Sequence, residues 1–303
     1  MQKNHVTGTD IEVSAICLGT MTFGTPVAEK EAVKLVQWAM DHGINFIDTA
    51  DIYEGYTRFL GSPGGVAESI LGVALQGRRE DAILTTKVGN AVGDGEYQGT
   101  GLGRSHIRHQ LCASLKRLHT DYVDFYELHK ADPDTPLEES VSVMAELIQE
   151  GKVRHWGFSN FDSPQIEQMF QICDANHWPR PVIAQPLYNW LERACEETYL
   201  PLCRANQIAI TPYQPLQGGL LTGKYAADQA PPAGSRGAEH PRWLKLDDGV
   251  HEKLKGFVQE SMDVRLEPAQ YAIRWLLDKL GITSVVVGVK SIEQLSNVMD
   301  AIL

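Results

Sequence analysis

The amino-acid sequence predicts an α/β fold of the (β/α)8, or TIM barrel, type. Eight short apolar runs recur along the chain, and segments with apolar residues at helical spacing separate them. A doubly wound sheet shares this alternation, but eight successive units favour a closed barrel, whose reactive residues lie at the carboxyl ends of the strands. The runs are Ala15–Leu18, Ile44–Ile47, Ala82–Thr86, Val123–Leu128, Val153–Gly157, Val182–Ala184, Ile208–Thr211 and Ser284–Val287.

A β-hairpin is expected before the first barrel strand, over Val6 to Val13 with Gly8-Thr9-Asp10 at its turn. Apolar stripes at helical spacing predict the helices that follow the strands. The clearest stripes are Ile107, Leu111, Leu115 and Leu118, with Ser105 placed to cap the start; Leu137, Val141, Met144 and Ile148, ended by Gly151; and Ile292, Leu295, Met299 and Ile302.

Two long irregular stretches follow predicted strands. Gly89–Gly103 follows the third strand, and Gln217–Gly249 follows the seventh. Long loops in compact domains are usually functional or disordered, and both of these lie on the face where barrel chemistry occurs. Because no internal repeat or Pro/Ser-rich linker interrupts the pattern, a single domain over residues 1–303 is predicted.

Composition excludes several classes of function. The formal net charge of −12 argues against non-specific binding to nucleic acid or to an anionic membrane. Five scattered cysteines without a Cys-x-x-Cys pair predict a reduced protein without disulfides. No run reaches membrane-spanning length and the first residues do not form a signal peptide, so a cytoplasmic location is expected.

Ionisable residues follow three successive predicted strands. Asp48 follows the second strand, Lys87 the third and His129 the fourth, and Tyr53 lies just beyond Asp48. Each has an ordinary alternative: a turn cap, a lysine that reaches solvent, a rim histidine or a loop tyrosine. Because neighbouring strand tips of a barrel converge, the set together favours one reactive site.

The chemistry of such a set is coherent. A phenol titrates near pH 10, a nearby ammonium favours the phenolate, and a carboxylate keeps that ammonium charged and in place. An imidazole can orient or polarise a carbonyl oxygen. This arrangement suits delivery of a proton to a developing alkoxide. Since the set holds no reductant, it points to an external hydride carrier.

Four segments together resemble the aldo-keto reductase family: Gly43–Tyr53, Ile83–Lys87, Arg108–His129 and Gly151–Phe161. The resemblance runs from about Gly8 to the C-terminus. It implies a (β/α)8 barrel and NADPH-dependent reduction of a carbonyl. It further implies that Tyr53 is the proton donor, that Lys87 and Asp48 tune it, and that His129 orients the substrate.

The resemblance also implies the cofactor site. Ser159, Asn160 and Gln185 match positions that hold the nicotinamide carboxamide, and Tyr213 matches the aromatic that stacks on the ring. The implied pyrophosphate strap comprises Leu216, Gly218, Lys224 and Arg236, and the implied 2′-phosphate site comprises Gly288, Lys290 and Ser291 at a helix N-terminus. Gly19, Thr20, Met21, Asp48, Gln214, Pro215, Gln294 and Asn297 complete the implied set.

Two positions depart from the family pattern at the phosphate end. Gln294 stands where many members have Arg, and Asn297 lies one residue before the usual asparagine position, which is Val298. The prediction of NADP(H) as cofactor therefore depends on Lys290, Ser291 and Arg236.

Two glycine-rich motifs are interpreted as coincidental. Gly218–Lys224 reads Gly-x4-Gly-Lys, but Tyr225 replaces the magnesium-binding Ser or Thr of a P-loop. The triplet Gly99, Gly101 and Gly103 lacks the buried strand that precedes a dinucleotide fingerprint. No cluster of metal ligands follows the strands, which makes a metal-dependent hydrolase a remote alternative and predicts no metal site.

Substrate and direction are less determined. Met21, Phe23, Tyr56 and Trp190 are expected to line the pocket, and since the chain ends at Leu303 a long C-terminal substrate loop is expected to be absent or very short. An open pocket for aldehydes, ketones or sugars follows, with a small-molecule carbonyl as partner. Two alternatives stay open: a redox-sensing regulatory module that binds the cofactor, and an NAD(P)-dependent sugar dehydrogenase working in the oxidative direction. The oligomeric state stays open as well.

Overall fold

The computed structural model describes residues 1–59, 61–93, 98–225, 229–240 and 247–302. Within these ranges a short hairpin precedes eight strands of one parallel sheet. The hairpin strands are β1 Lys3–His5 and β2 Glu12–Ser14. The sheet strands are β3 Ile16–Gly19, β4 Phe46–Asp48, β5 Ile83–Val88, β6 Val123–Leu128, β7 Val153–Ser159, β8 Ile183–Gln185, β9 Ala209–Ile210 and β10 Val285–Gly288.

The sheet closes on itself. Each of β3 to β8 pairs in parallel with the next strand, and β10 pairs with β3 in the register Val285 to Ile16. Between β9 and β10 the gap is bridged by Thr283 N–H, which donates to Ile210 O at 2.9 Å. Val286 N–H also donates to Pro212 O at 3.0 Å. The predicted (β/α)8 barrel is confirmed.

The N-terminal hairpin is also confirmed, and it closes one end of the barrel. Strands β1 and β2 pair antiparallel, with Lys3 opposite Ser14. Val6, Ile11 and Val13 pack with the inward-facing side chains of the barrel strands, which are Cys17, Phe46, Phe125, Ile183, Ala209 and Val286. Several of these lie near the amino ends of their strands, so the opposite, carboxyl end is the one left for a site.

Helices cover the outside of the sheet. They are α1 Glu29–Asp41, α2 Val66–Ala74, α3 Arg104–Leu118, α4 Leu137–Gln149, α5 Ser163–Asn176, α6 Tyr199–Ala205, α7 Arg236–Glu239, α8 Asp248–Asp263, α9 Pro268–Leu277 and α10 Ile292–Met299. The predicted apolar stripes face the sheet: Ile107, Leu111, Val141 and Met144 are fully buried. None of the described helices is long and apolar enough to span a membrane.

One predicted helix start is wrong. The sequence placed Ser105 as the cap, but α3 begins at Arg104 and its N-cap is Gly103. Glu139 Oε1, from the start of α4, accepts the N–H of Arg104 at 2.8 Å. A side chain from the neighbouring helix thus satisfies a free amide that a local serine was expected to satisfy.

The two long loops lie where they were predicted, and the second contains short helices. Residues 217–222 form a 3-10 helix, and α7 and the start of α8 follow. Residues 94–97, 226–228 and 241–246 of these loops lie outside the described ranges.

Candidate active site

A buried ion pair lies at the carboxyl ends of β4 and β5. Lys87 Nζ is 2.6 Å from Asp48 Oδ1, and the two side chains are 0% and 3% exposed. Burial by itself lowers the pKa of Lys87, but Asp48, Tyr53 and Glu127 together outweigh this and raise the pKa above its ordinary value. Lys87 is therefore a permanent ammonium, and Asp48 has the partner that the sequence predicted.

Tyr53 shares this ammonium. Lys87 Nζ lies 3.4 Å from Tyr53 Oη and donates to Thr49 O at 2.9 Å. The backbone of Tyr53 is fixed by α2, because Ala67 N–H donates to Tyr53 O at 2.9 Å. Burial raises the pKa of Tyr53 to about 12, while Lys87 acts in the opposite direction. The sequence predicted a lowered pKa; the lysine does act that way, but desolvation of the phenol is larger.

His129 faces Tyr53 from the end of β6. Their rings meet edge to face with centroids 5.9 Å apart. The pKa of His129 is well below its ordinary value, first because of burial and then because of the cations Lys87, Lys130 and Arg58. His129 is therefore a neutral imidazole, and its Nδ1 atom has no hydrogen-bond partner among the residues that the structure describes.

Amide and hydroxyl groups from neighbouring strands surround the ion pair. Gln185 Nε2 donates to Asp48 Oδ1 at 2.8 Å, and Ser159 Oγ donates to Gln185 O at 2.7 Å. Both the N–H and the hydroxyl of Thr20 donate to Asp48 O, at 3.0 and 2.9 Å. Strands β3, β7 and β8 thus hold β4 in place beside Lys87.

Asn160 and Tyr213 extend this polar rim. Asn160 adopts a left-handed backbone with φ of 57°, and its Nδ2 donates to Ser159 Oγ and to His129 O, both at 2.9 Å. Tyr213 Oη donates to Asn160 Oδ1 at 2.8 Å. An aromatic ring beside amide donors and acceptors fits a planar carboxamide, so these residues could hold the nicotinamide end of a cofactor.

Positive charge gathers at a second position on the same face. The Arg236 guanidinium and Lys290 Nζ each lie 5.3 Å from the ring centre of Tyr56. Lys290 Nζ donates to Gly234 O and to Glu239 Oε2, both at 2.9 Å. Cations that converge in a protein of net charge −12 fit an anionic ligand. Tyr56, which was expected to line the substrate pocket, lies beside both cations, with His240 against its ring.

The N-terminus of α10 borders this cationic position. Ser291 Oγ accepts the N–H of Gln294 at 3.3 Å, and Gln294 Oε1 accepts the N–H of Lys290 at 2.9 Å. Asn297 lies apart from this group, since its side chain donates to Glu267 Oε2 at 2.7 Å. The structure therefore brings Lys290, Ser291 and Gln294 together and directs Asn297 towards α9.

The remaining predicted cofactor residues lie at the carboxyl end of the barrel and in the loops that follow its strands. Gly19 and Gly288 sit opposite each other at the tips of β3 and β10. Met21 is half-buried, Gln214 is exposed and Pro215 is buried. Leu216 and Lys224 flank a 3-10 helix that contains Gly218. This is not the strand–loop–α-helix of a P-loop, in agreement with the interpretation of that motif as coincidental.

One expected pocket residue lies elsewhere, and another is held by α8. Phe23 is 0% exposed within the main core, so its assignment to the pocket wall is wrong. Trp190 packs edge to face on Phe257, and its Nε1 donates to Glu260 Oε2 at 2.9 Å, which ties it to α8. An aromatic residue after a strand can pack in the hydrophobic core or line the rim of the pocket, and the sequence alone does not distinguish these two positions.

One buried acid of the site was missed. Glu127, on β6, is fully buried, and neither carboxyl oxygen has a hydrogen-bond partner in the described part of the chain. Burial and the nearby Asp48 raise its pKa to about 8, against the opposing effect of Lys87. A lone glutamate inside an apolar run was the available signal. The described residues contain no group of three His, Cys, Asp or Glu that could hold a metal ion.

Comparison with known proteins gives consistent matches. The model of the Aldo/keto reductase family matches residues 15–303. The "Uncharacterized oxidoreductase YrpG" of Bacillus subtilis (strain 168) is 33% identical over 308 residues, covering 100% of this chain and 91% of that protein. The "Probable voltage-gated potassium channel subunit beta" of Arabidopsis thaliana is 33% identical over 310 residues, with coverage of 100% and 91%. The glycerol dehydrogenase AKR11B4 from Gluconobacter oxydans superposes with a TM-score of 0.81 at 27% identity, covering 99% of this chain and 89% of that one.

Proposed function

Because the chain belongs to the aldo/keto reductase family of oxidoreductases, we propose that it reduces aldehydes and ketones to alcohols with NADP(H) and with Tyr53 as the proton donor. The observation that carries this proposal is the position of Lys87 between Asp48 and Tyr53. The ammonium is 2.6 Å from the carboxylate and 3.4 Å from the phenol oxygen. A phenol in contact with a buried, permanently charged ammonium can give up a proton that an isolated phenol would keep.

The proposed roles follow from the charges. When bound, the cofactor supplies a hydride to the carbonyl carbon. Tyr53 donates its proton to the oxygen, and Lys87 stabilises the phenolate that remains. Asp48 keeps Lys87 charged and directed at Tyr53. His129, as a neutral imidazole, keeps one N–H that can donate to the carbonyl oxygen and orient the substrate.

Two groups of residues support cofactor binding. Ser159, Asn160 and Gln185, with the ring of Tyr213, would hold the nicotinamide. At the other end, Lys290, Ser291 and Arg236 would bind the 2′-phosphate at the start of α10, where helix-end amides and cations favour an anion. Because these cations would contact the 2′-phosphate that only NADP(H) carries, we propose that the protein prefers NADP(H) to NAD(H).

Two alternatives are favoured by particular relatives. Similarity to a glycerol dehydrogenase supports a dehydrogenase that oxidises a polyol or sugar, with the Tyr53 phenolate as base. Similarity to a potassium channel β subunit supports a regulatory module that binds cofactor and senses redox state. The presence of Asp48, Tyr53, Lys87 and His129 around one point favours an enzyme over the regulatory module.

The direct test is a spectrophotometric assay of nicotinamide oxidation and reduction. NADPH and NADH would each be offered with a panel of aldehydes, ketones and sugars, and NADP⁺ and NAD⁺ with polyols. We expect faster consumption of NADPH than of NADH with at least one class of carbonyl. If neither nucleotide bound, the proposed function would fail.

The variant Tyr53→Phe tests the proton donor. It should lower kcat by roughly 10²–10⁴-fold because general acid catalysis is lost. The Kd for NADPH, measured by fluorescence titration, should change by less than about twofold because the ring remains. Tyr122→Phe is the matched control, since Tyr122 lies at the amino end of β6 under Arg79. Full activity of Tyr53→Phe would show that another group donates the proton.

A further inference from the structure

Glu127 lies inside the barrel beside Lys87. The two residues are register partners on the adjacent parallel strands β5 and β6. Phe125, two residues earlier on β6, belongs to the inward-facing cluster of the barrel. Because strand side chains alternate between faces, Glu127 also points inward. It is 0% exposed, yet both carboxyl oxygens lack a hydrogen-bond partner within the described ranges.

Lys87 has no donor left for Glu127. An ammonium has three N–H groups, and those of Lys87 face Asp48 Oδ1, Thr49 O and Tyr53 Oη. A single cation therefore faces two carboxyl groups in a region without water contact. An ionised Glu127 would be a buried and unpaired charge, which is strongly unfavourable. Burial accordingly favours the neutral carboxyl group and raises its pKa to about 8.

The titratable groups around Glu127 come from several elements. Those that interact with it electrostatically are the thiol of Cys17 on β3, the carboxylate of Asp48 on β4, the ammonium of Lys87 on β5, the phenol of Tyr53 and, from α6, the phenol of Tyr199. All of them except Lys87 are neutral or negative. A negative charge on Glu127 therefore opposes a negative charge on Tyr53.

We propose that Glu127 is a positioning residue for Lys87. When its carboxyl group is neutral, the Lys87 ammonium interacts with Asp48 and Tyr53 alone. When Glu127 is ionised, it keeps Tyr53 protonated and so favours carbonyl reduction over alcohol oxidation. This proposal rests on the proposed function of Tyr53. Reduction requires the protonated phenol of Tyr53, and the negative charge of Glu127 keeps it protonated at alkaline pH. Oxidation requires the Tyr53 phenolate, and the same negative charge disfavours its formation.

The oxidative step shows where the effect acts. In alcohol oxidation the C–H bond breaks and its electron pair leaves as hydride to NADP⁺. The O–H proton passes to the Tyr53 phenolate, and the C=O bond forms. Ionised Glu127 raises the pH at which that phenolate becomes available. Its own proton goes to solvent and takes no part in the step.

The variant Glu127→Gln tests the proposal because it keeps the neutral shape at every pH. Its kcat/KM for reduction at pH 6 should equal that of the parent protein within about twofold. In the pH profiles of kcat/KM, the alkaline fall in the rate of reduction and the alkaline rise in the rate of oxidation should both occur about one pH unit lower than in the parent protein. Oxidation at pH 9 should then be roughly tenfold faster. Glu80→Gln is the matched control, since Glu80 is exposed near the amino end of β5 and makes the same change of charge.

A readout that does not depend on activity separates this proposal from the proposed function. Tyrosinate absorbance at 295 nm, taken as the difference between a protein and its Tyr53→Phe form, reports ionisation of Tyr53 alone. This titration should move about one pH unit lower in Glu127→Gln. It would do so even if Tyr53 were not the proton donor.

Three results would overturn the proposal. The first is a Tyr53 titration that is unchanged in Glu127→Gln, and the second is a loss of reduction at pH 6 in that variant. The third needs no variant: in the parent protein labelled with ¹³C at the glutamate carboxyl, one resonance should titrate between pH 7 and 9. If every glutamate titrated below pH 6, Glu127 would not be the neutral acid that the proposal requires.

Discussion

Removal of the Lys87 ammonium would leave Asp48 as a buried carboxylate without a cation. Gln185 and the surrounding dipoles would still contact it, but no charge would balance it. We expect Lys87→Met to lose reductase activity and to lose about 3–5 kcal/mol of unfolding free energy, as for a broken buried ion pair. Urea denaturation followed by circular dichroism measures the second effect.

The double variant Lys87→Met with Asp48→Asn is the control for this prediction. It removes both charges, so much of the lost stability should return while activity stays absent. A single Lys87→Met variant as stable as the parent protein would contradict the view that Asp48 depends on this cation.

At the residue scale, the sequence predicted groups at strand tips better than groups within strands. Asp48, Lys87 and His129 each follow an apolar run, so their convergence follows from parallel strands alone. Glu127 lies within a run, and its proximity to Lys87 depends on register, which a single sequence does not specify. Phe23 could not be predicted either, because its burial depends on which side of the loop packs on the core.

The segment 234–240, which contains α7, is tied to Lys290 as well as to Tyr225, whose hydroxyl accepts the N–H of Gly237 at 3.0 Å. Lys290 Nζ bonds Gly234 O and Glu239 Oε2, and Ser235 caps the short helix. The same ammonium is the proposed partner of the 2′-phosphate. We therefore expect Lys290→Met to weaken NADPH binding by about tenfold or more and NADH binding by less than about threefold.

Fluorescence titration with both nucleotides measures this difference. Lys152→Met is the matched control, because Lys152 also pairs with a glutamate at 2.7 Å but lies at the amino end of β7. An equal loss of affinity for NADPH and NADH would show that Lys290 stabilises the segment 234–240 but does not bind the 2′-phosphate.

At the element scale, helix stripes were predictable and helix starts were less so. The faces with Ile107, Leu111, Val141 and Met144 are buried as their spacing indicated. The cap of α3 comes from Glu139, a residue of the next helix, and such a tertiary contact leaves no local signal. Six of the eight barrel strands end one or two residues later than predicted because hydrogen bonding continues past the apolar run, whereas β6 ends as predicted and β9 ends one residue earlier.

Close contact between β7 and β8 depends on Gly157. A Cβ at this position would lie 2.4 Å from both Ile183 Cγ2 and Ile183 O. Because backbone cannot yield as a flexible side chain does, Gly157→Ala should force the two strands apart and cost about 2–3 kcal/mol. Thermal unfolding measures the loss.

Gly256→Ala gives the comparison on the outer layer. Gly256 lies in α8, and beyond its own helix backbone and chain neighbours no atom of the described residues lies within 4 Å of an added Cβ, so alanine should stabilise the protein by about 0.5–1 kcal/mol. If Gly157→Ala and Gly256→Ala had the same thermal midpoint, the close contact between β7 and β8 would not be the reason that Gly157 is needed.

The closed barrel was predictable from the count and order of its apolar runs, but the hydrogen bonds that close it were not. Strand β9 has two residues, and the seam beside it is formed by Thr283 and Val286 bonding to Ile210 and Pro212. These backbone contacts join residues about 70 positions apart, and Ile210 N–H also donates to Thr283 Oγ1 at 3.3 Å. No side-chain pattern reports them.

The pairing of β10 with β3 has a consequence for synthesis on the ribosome. Val285 lies opposite Ile16, so the first barrel strand has no neighbour on one side until the last strand has been made. β3 is therefore an exposed sheet edge during most of translation, and β9 becomes a second one once Ala209–Ile210 has been made. Emergence of β10 removes the edge of β3 by pairing with it, and the bonds from Thr283 and Val286 to Ile210 and Pro212 cover the edge beside β9.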